Sequence, residues 1–241
     1  MRIDVAFVPG SAPTGAVAVV VDVIRATTTI AHAVGQGYRR VLACAEIDQA
    51  RGLRDRLGNG AVLAGEQGCV KPEGFDLGNS PAEYTTDGPR GETLVFATTN
   101  GTRAIVAAAA DAESVLVGSL ANLTACAAEA ARRARRGDAD LQVQCAGVDG
   151  AFALDDAYTA GRFVSELRVW LSEWELTDAA RAAETLAAAF PSASDALGAS
   201  QSAASLRAAG LAEDLRTCAR ESALDVVPRV EDVDAGVALI Q

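Results

Sequence analysis

Apolar residues fall into short unbroken runs, and between the runs they return every three or four positions. The purest run lies within residues 16–29, AVAVVVDVIRATTT, where 17–24 is apolar except for Asp22. A short β-branched run predicts a strand buried on both faces, as in a parallel sheet under helices. Further strands are expected at 3–8, 40–45, 61–64, 93–97, 114–117 and 141–146. Ile47, Ala50, Leu53, Arg54 and Leu57 mark a helix over 46–57. Leu123, Cys126, Ala127, Ala130 and Ala134 mark another over 122–136. Strand alternating with helix predicts an α/β fold, three α/β/α layers around a largely parallel sheet.

From Asp155 the spacing is mostly helical. Ala160, Phe163, Val164, Leu167, Leu171 and Trp174 predict one long amphipathic helix, and Thr177 caps a second that Pro191 stops. Ala-rich segments broken at Gly198 and Gly210 run on to Ser222, and 226–227 and 236–240 read as closing strands. The 241 residues are read as one domain, 1–241, with a helical C-terminal part at 161–225.

The earlier part of the chain repeats itself. Thr98-Thr99-Asn100-Gly101-Thr102 follows one strand as Thr27-Thr28-Thr29 follows another, 114–117 answers 40–42, and 141–146 answers 61–64. Self-similarity at roughly 70–80 residues is the length of a supersecondary block, so an internal duplication with halves 16–90 and 91–160 is expected. The first half contains a long loop, 65–81 (GEQGCVKPEGFDLGNSP). Its Phe75 and Leu77 need burial, which argues for an ordered, functional loop.

Composition narrows the partners. The formal net charge is −11, against nucleic acid as the main partner, since phosphate binding needs clustered positive charge. A small anion in a local Arg pocket remains compatible. Arg132, Arg133, Arg135 and Arg136 form the only basic cluster, at a helix end where cations suit the dipole. The start MRIDVAFVPG lacks the basic-then-apolar order expected of a signal peptide and no apolar run approaches about 18 residues, so no membrane association is expected. The five cysteines show no CxxC pair, which indicates neither a disulfide framework nor a zinc site. A cytoplasmic, soluble, reduced protein is expected, with a homo-oligomer left open.

The polar residues that follow the expected strands are of one kind. They are Asp22, Arg25, Thr27 and Thr28; Glu66, Asp76, Asn79 and Ser80; Thr98, Thr99, Asn100, Gly101 and Thr102; Ser119 and Asn122; and Asp149, Asp155 and Asp156. Ligands bind beyond the carboxyl ends of strands in open α/β sheets. Carboxylates, hydroxyls and amides without a Cys/His cluster favour a hard cation such as Mg²⁺. Helix-opening Thr/Asn/Gly loops favour a phosphate or sulfonate. Together they suit phosphoryl transfer. The bland alternatives are caps and charges at helix starts: the threonines and Asn122 as N-caps, Asp155 and Asp156 as first-turn acids, and Gly101 for its backbone. His32, the only histidine, lies beside alanines and reads as packing, and Cys145 reads as a buried thiol before a nucleophile. Neither GxxxxGK[ST] nor GxGxxG follows a strand, so a nucleotide loop is not expected.

The segments DVIRATTTI, GEQG, GFDLGNSP, TTNGT, GSLAN, CAGVDG and LDDAYTAG, with the tail SLRAAGLAEDLRTCARESALDVVP, resemble the 2-phosphosulfolactate phosphatase family in the same order. The resemblance implies an α/β three-layer fold and a Mg²⁺-dependent phosphatase. Its substrate would be (R)-2-phospho-3-sulfolactate, converted to 3-sulfolactate on a route to coenzyme M. Arg25, Thr27, Thr28, Asn79, Ser80, Thr98, Thr99, Asn100, Gly101, Thr102, Ser119 and Asn122 are then expected to bind the substrate. Asp22, Glu66 and Asp156 are expected to be catalytic, with Asp22, Glu66, Asp155 and Asp156 at the metal. Gln67 departs from the Arg of a GERG pattern, which puts substrate preference in question. The competing readings are an anion-binding sensor or scaffold and a metal-independent isomerase or lyase.

Overall fold

The apolar runs form strands, and the strands sort into two sheets. The computed structural model describes residues 1–10, 12–85 and 92–241. Sheet A holds β1 (Arg2–Ala6), β2 (Val17–Val21), β6 (Ser114–Gly118), β7 (Leu141–Cys145) and the two-residue β8 (Glu175–Leu176), in the order β6-β2-β7-β1-β8. Its pairings are all parallel. Sheet B holds β3 (Arg40–Cys44), β4 (Ala61–Gly65), β5 (Thr93–Ala97), β9 (Val230–Asp234) and β10 (Val237–Ile240), in the order β4-β5-β3-β10-β9. It is mixed: β10 runs antiparallel to both its neighbours.

Period-two alternation decides which core each strand serves. Val17, Val19 and Val21 of β2 face outward from the molecule's middle, against α4 (Leu123–Gly137), α5 (Leu154–Trp170) and α6 (Asp178–Ala188). Ala18 and Val20 face inward, into a core that also takes Val41, Leu94 and Phe96 of sheet B. Between the sheets lie α1 (Ala26–Gly35) and α3 (Gly101–Ala109), which fill that core with Ile30, Ala33, Ala104 and Ile105. The outer face of sheet B is covered by α2 (Ile47–Leu57) through Ala50 and Leu53. Each sheet is thus flanked by helices on both faces, and the two share their middle helical layer. All five residues of β2 are buried, each valine side chain contributing about 1.5–3 kcal/mol.

The sheets interlock by one rule. β2 lies between β6 and β7, with Val17 paired to both Ser114 and Leu141. β5 lies between β3 and β4, with Thr93 paired to both Arg40 and Ala61. The unit β2-α1-β3-α2-β4 therefore places its first strand in the sheet of the unit β5-α3-β6-α4-β7, and the reverse. The expected boundary between halves, at 90 and 91, lies outside the described residues.

Two expectations for the C-terminal part need correction. The long helix ends at Trp170, and Leu171 and Trp174 pack beyond it as the chain turns into β8. Residues 226–227 form no strand: the amide of Asn122 takes the Val226 carbonyl, and Pro228, which has no N–H for a ladder, gives its carbonyl to Val117. The strand starts instead at Val230. The helices α6, α7 (Ala193–Gly198) and α8 (Gln201–Ala208) are capped by Thr177, Ser192 and Ser200, whose hydroxyls accept N–H bonds from Ala180, Asp195 and Ala203. α9 (Asp214–Cys218) follows. Among the described residues no helix is long and apolar enough to cross a membrane.

Candidate active site

Four strand ends, two from each sheet, meet beside the middle helices. Asp22 follows β2, Glu66 follows β4, Thr98 follows β5 and Ala146 follows β7. The end of β4 is folded against β5 at Gly65, where a side chain would run into the Ala97 carbonyl. That carbonyl instead accepts the Glu66 N–H at 3.0 Å.

A cavity of about 170 Å³ opens at this junction. The β2 turn lines it with Asp22, Ile24 and Arg25, and the loop after β4 with Glu66, Gly68, Cys69 and Asn79. Thr99 and Asn100 come from the loop after β5, Val148 and Asp149 from the loop after β7, and Ser202, Ser205 and Leu206 from α8. A larger cavity of about 580 Å³, lined by residues such as Tyr158, Arg162 and Phe190, takes in none of these strand ends.

Asp22 is buried, with Oδ1 accepting the Ala26 N–H at 3.3 Å. Among the described residues no donor reaches its Oδ2. Burial first, then the charges of Glu66 and Asp155, push its carboxyl up to about 7, against the smaller pull of the Ala26 N–H and Arg25. Glu66 accepts the Thr99 N–H at 2.7 Å and the Cys69 N–H at 2.8 Å, one on each oxygen. Arg25 is buried and donates to Asp214 and to the Cys69 carbonyl, each at 2.7 Å. The Ile24–Arg25 peptide is cis. Asn79 Oδ1 and Thr99 Oγ1 are buried atoms with no hydrogen-bond partner, the kind of group that a ligand completes.

The other expected site residues have local partners instead. Thr27 Oγ1 accepts the Asp22 N–H and donates to the Asp22 carbonyl, and Thr28 donates to the Val23 carbonyl. Thr98 and Thr102 bond each other's N–H. Ser80 donates to Asp214 at 2.6 Å. Ser119 and Asn122 form a capping box after β6 and tie it to Val226. Gly101 packs on Asp22 and Ala26. Asp156 spends both oxygens on the Val23 and Gly147 N–H groups, at 3.0 and 2.9 Å, and burial with Asp155 and Asp22 raises its pKa well above the usual carboxylate range. Asp155 accepts from Ser202 at 3.1 Å, and burial raises it to about 6. Of the four expected metal-ligating acids, the structure brings Asp22 and Glu66 to the cavity wall and turns Asp155 and Asp156 to these other partners. Gln67 lines a neighbouring cleft with Glu46 and Arg103 rather than this cavity. Cys145 is buried in the sheet A core, where burial holds its thiol neutral, and His32 lies away on α1.

The donors fit a hard cation only in a sparse way. Among the described residues no group of three or more His, Cys, Asp or Glu side chains is placed to hold a metal. Asp22 and Glu66 with the unpartnered Asn79 oxygen form an all-oxygen set, and Mg²⁺ commonly uses one or two carboxylates with water and phosphate oxygens.

Residues 6–233 match the family described as 2-phosphosulpholactate phosphatase. The chain belongs to that family. A relative from Thermus thermophilus is 40% identical over 230 residues, covering 95% of this chain and 94% of its own. One from Deinococcus radiodurans is 36% identical over 223 residues, 91% of each chain. One from Caldanaerobacter subterraneus is 34% identical over 216 residues, 89% of this chain and 87% of its own. All three are named probable 2-phosphosulfolactate phosphatase, a phosphoric monoester hydrolase. The family match spans every strand end at the cavity and continues through α8 and α9.

Those two helices hold what residue-by-residue reading missed. Ser202, Ser205 and Leu206 wall the cavity and Asp214 pairs with Arg25. The available signal was the family-like tail SLRAAGLAEDLRTCARESALDVVP, in which Asp214 is the acid before the leucine of EDLR.

Proposed function

We propose that this chain is a phosphatase acting on 2-phospho-3-sulfolactate or a related small acidic phosphate monoester, with release of 3-sulfolactate and phosphate. The observation that carries the reading is the convergence of Arg25, Asp22 and Glu66 on one small cavity with unfilled acceptor and hydroxyl positions, in a chain of this family. Arg25 binds an anionic group of the substrate through guanidinium N–H groups left free by its protein partners. Thr99 Oγ1 and the Asn100 amide supply neutral hydrogen bonds from the opposite wall. α8 closes the site with Leu206 and so keeps bulk water from the reacting group.

Asp22 is the general base. Without a cation its carboxyl near 7 is divided between its two forms at neutral pH, and in its ionised form it can accept a proton from the attacking water. The departing alkoxide takes its proton from a water on the other side of the phosphoryl group. Glu66 holds the Thr99 and Cys69 backbones beside Asp22. Asp22 and Glu66 would hold Mg²⁺, which when bound neutralises charge on the phosphoryl oxygens. A place on a route to coenzyme M belongs to the same proposal.

The test is hydrolysis of 2-phospho-3-sulfolactate and of p-nitrophenyl phosphate, with Mg²⁺ and with EDTA. Turnover with Mg²⁺ that EDTA abolishes is expected. Arg25→Ala should raise KM about 10- to 100-fold, the worth of a lost charge-assisted contact. Equal turnover in EDTA removes the metal. Anion binding without any turnover removes the enzyme and leaves a sensor.

A further inference from the structure

We infer that Asp214, carried by the C-terminal helix α9, is a positioning residue that fixes the plane of the Arg25 guanidinium for the substrate anion. The inference rests on the reading above that Arg25 binds that anion.

Asp214 Oδ2 lies 2.7 Å from Arg25 Nη1, and the two side chains are only 6% and 3% exposed. Its other oxygen accepts the Ser80 hydroxyl at 2.6 Å, so the carboxylate is itself held from a second element. Arg25 Nη2 donates to the Cys69 carbonyl at 2.7 Å. A guanidinium is planar, so anchoring both terminal nitrogens sets the direction of everything else it donates. The two contacts use one N–H on each terminal nitrogen. Nε–H and one further N–H on each terminal nitrogen have no partner among the described residues, and Arg25 lines the cavity.

The arrangement differs from an ion pair that only fastens α9 to the body. Fastening needs any pair at the contact, exposed or not, and gives no reason for one partner to sit in a cavity wall. Here the pair is buried, the acid is braced by Ser80, and the base faces the cavity with donors to spare. Ser80 adjoins Asn79, so the segment that braces Asp214 also supplies a cavity amide. A buried Arg without its acid would be an uncompensated charge that can swing toward other acceptors, Asp22 and Glu66 among them.

The experiment measures KM and kcat for p-nitrophenyl phosphate, and orthophosphate affinity by calorimetry, for wild type, Asp214→Ala, Asp214→Asn, Arg25→Ala and the Arg25→Ala/Asp214→Ala double variant. Asp214→Ala should raise KM and the orthophosphate dissociation constant about tenfold or more with kcat within about threefold. Asp214→Asn, which keeps the shape and can still accept from Arg25, should recover most of that loss. In the double variant the second substitution should add nothing to KM beyond Arg25→Ala alone, because the group it positions is already gone. Should Asp214→Ala fail to fold, Ser80→Ala, which removes only the brace, serves in its place with a smaller rise in the same constants. Folded Asp214→Ala and Ser80→Ala proteins with wild-type KM and affinity overturn the inference, as does a loss that simply adds to that of Arg25→Ala. Orthophosphate binding that depends on Arg25 and Asp214 without ester hydrolysis supports the inference while removing the enzymatic reading. Absence of orthophosphate binding to wild type overturns both.

Discussion

The turn after β2 and the turn after β5 occupy equivalent places in the two interlocked units, and they carry different chemistry. In both, a threonine hydroxyl on the following helix accepts the N–H of the strand-end residue and donates to its carbonyl: Thr27 on Asp22, five positions on, and Thr102 on Thr98, four positions on. In both, a side-chain oxygen of that strand-end residue accepts a helix N–H: Asp22 Oδ1 from Ala26, and Thr98 Oγ1 from Thr102. In both, a carboxylate from another element holds the next N–H: Asp156 of α5 on Val23, and Glu66 from the loop after β4 on Thr99. What differs is the charge. The β2 turn has one residue more and presents Asp22 and Arg25, whereas the β5 turn presents Thr99 and Asn100. One backbone solution thus supports a charged arm and a neutral arm facing the same cavity, so the side chains presented are separable from the scaffold that positions them.

The largest effect that would test this division is at the strand-end residues themselves. Asp22→Asn preserves shape and removes the charge and the proton, so kcat should fall about 10²- to 10³-fold. Thr98→Ala, at the equivalent place, removes a cap and should change kcat far less. Steady-state kinetics of both variants at saturating Mg²⁺ decide the matter, and comparable losses would mean that the arms share one structural role.

A smaller but still large effect is expected where the arms touch. Gly101 sits so close to the β2 turn that a Cβ on it would lie 2.5 Å from both the Ala26 Cβ and Asp22 Oδ2. Gly101→Ala must push the first turns of α1 and α3 apart, at a cost of about 1–3 kcal/mol typical of overpacking. Both the melting temperature and kcat should drop. A variant that melts like wild type with full activity would show that the two arms are not in fixed register.

The elements were legible in the sequence because apolar runs and helical spacing are local. Strand ends were legible for the same reason, which is why Asp22, Glu66, Thr99, Asn100 and Asn79 could be named as candidates. Partnering was not. Ala18 and Val20 would be equally buried in any parallel sheet, so nothing local says that β2 pairs with β6 and β7 while β3 and β4 pair with β5. One expected sheet is therefore two. The threonines of 27–29 looked like free donors because a sequence does not show that Asp22, Val23 and Asn79 carbonyls already take their hydroxyls. Asp214 and Ser202 lie in C-terminal segments where the spacing marked no site, since their burial depends on where the helices dock.

Equal effects are expected where the scaffold is shared. Thr27 and Thr102 are both fully buried and each hydroxyl makes the same pair of bonds. Replacing either by valine leaves the buried N–H of the strand-end residue unsatisfied, although the Asp22 carbonyl keeps the Thr27 N–H, and should lower stability by about 1–3 kcal/mol in each case. Denaturant midpoints measured side by side check this. A cost confined to Thr27 would make the equivalence of the two turns one of sequence order only.

The smallest expected effect separates the charged arm from the neutral one without any turnover. The folded-state value of about 7 for Asp22 lies above its ordinary 3.8, so the folded protein keeps a proton there that the unfolded chain releases. The stabilisation from that proton is complete below roughly pH 4 and is lost as the pH rises through about 7. Glu66 and Asp155 drive the shift after burial, and Arg25 with the Ala26 N–H opposes it. A cation at Asp22 and Glu66 would compete with the proton, so Mg²⁺ should stabilise the protein more where the carboxyl is ionised. The Mg²⁺-induced rise in Tm should therefore be a few degrees larger near pH 8 than near pH 5.5. In Asp22→Asn that difference should vanish, while in Thr98→Ala it should persist. An increment independent of pH in wild type would take Asp22 out of the cation site, whatever the kinetics of its variants.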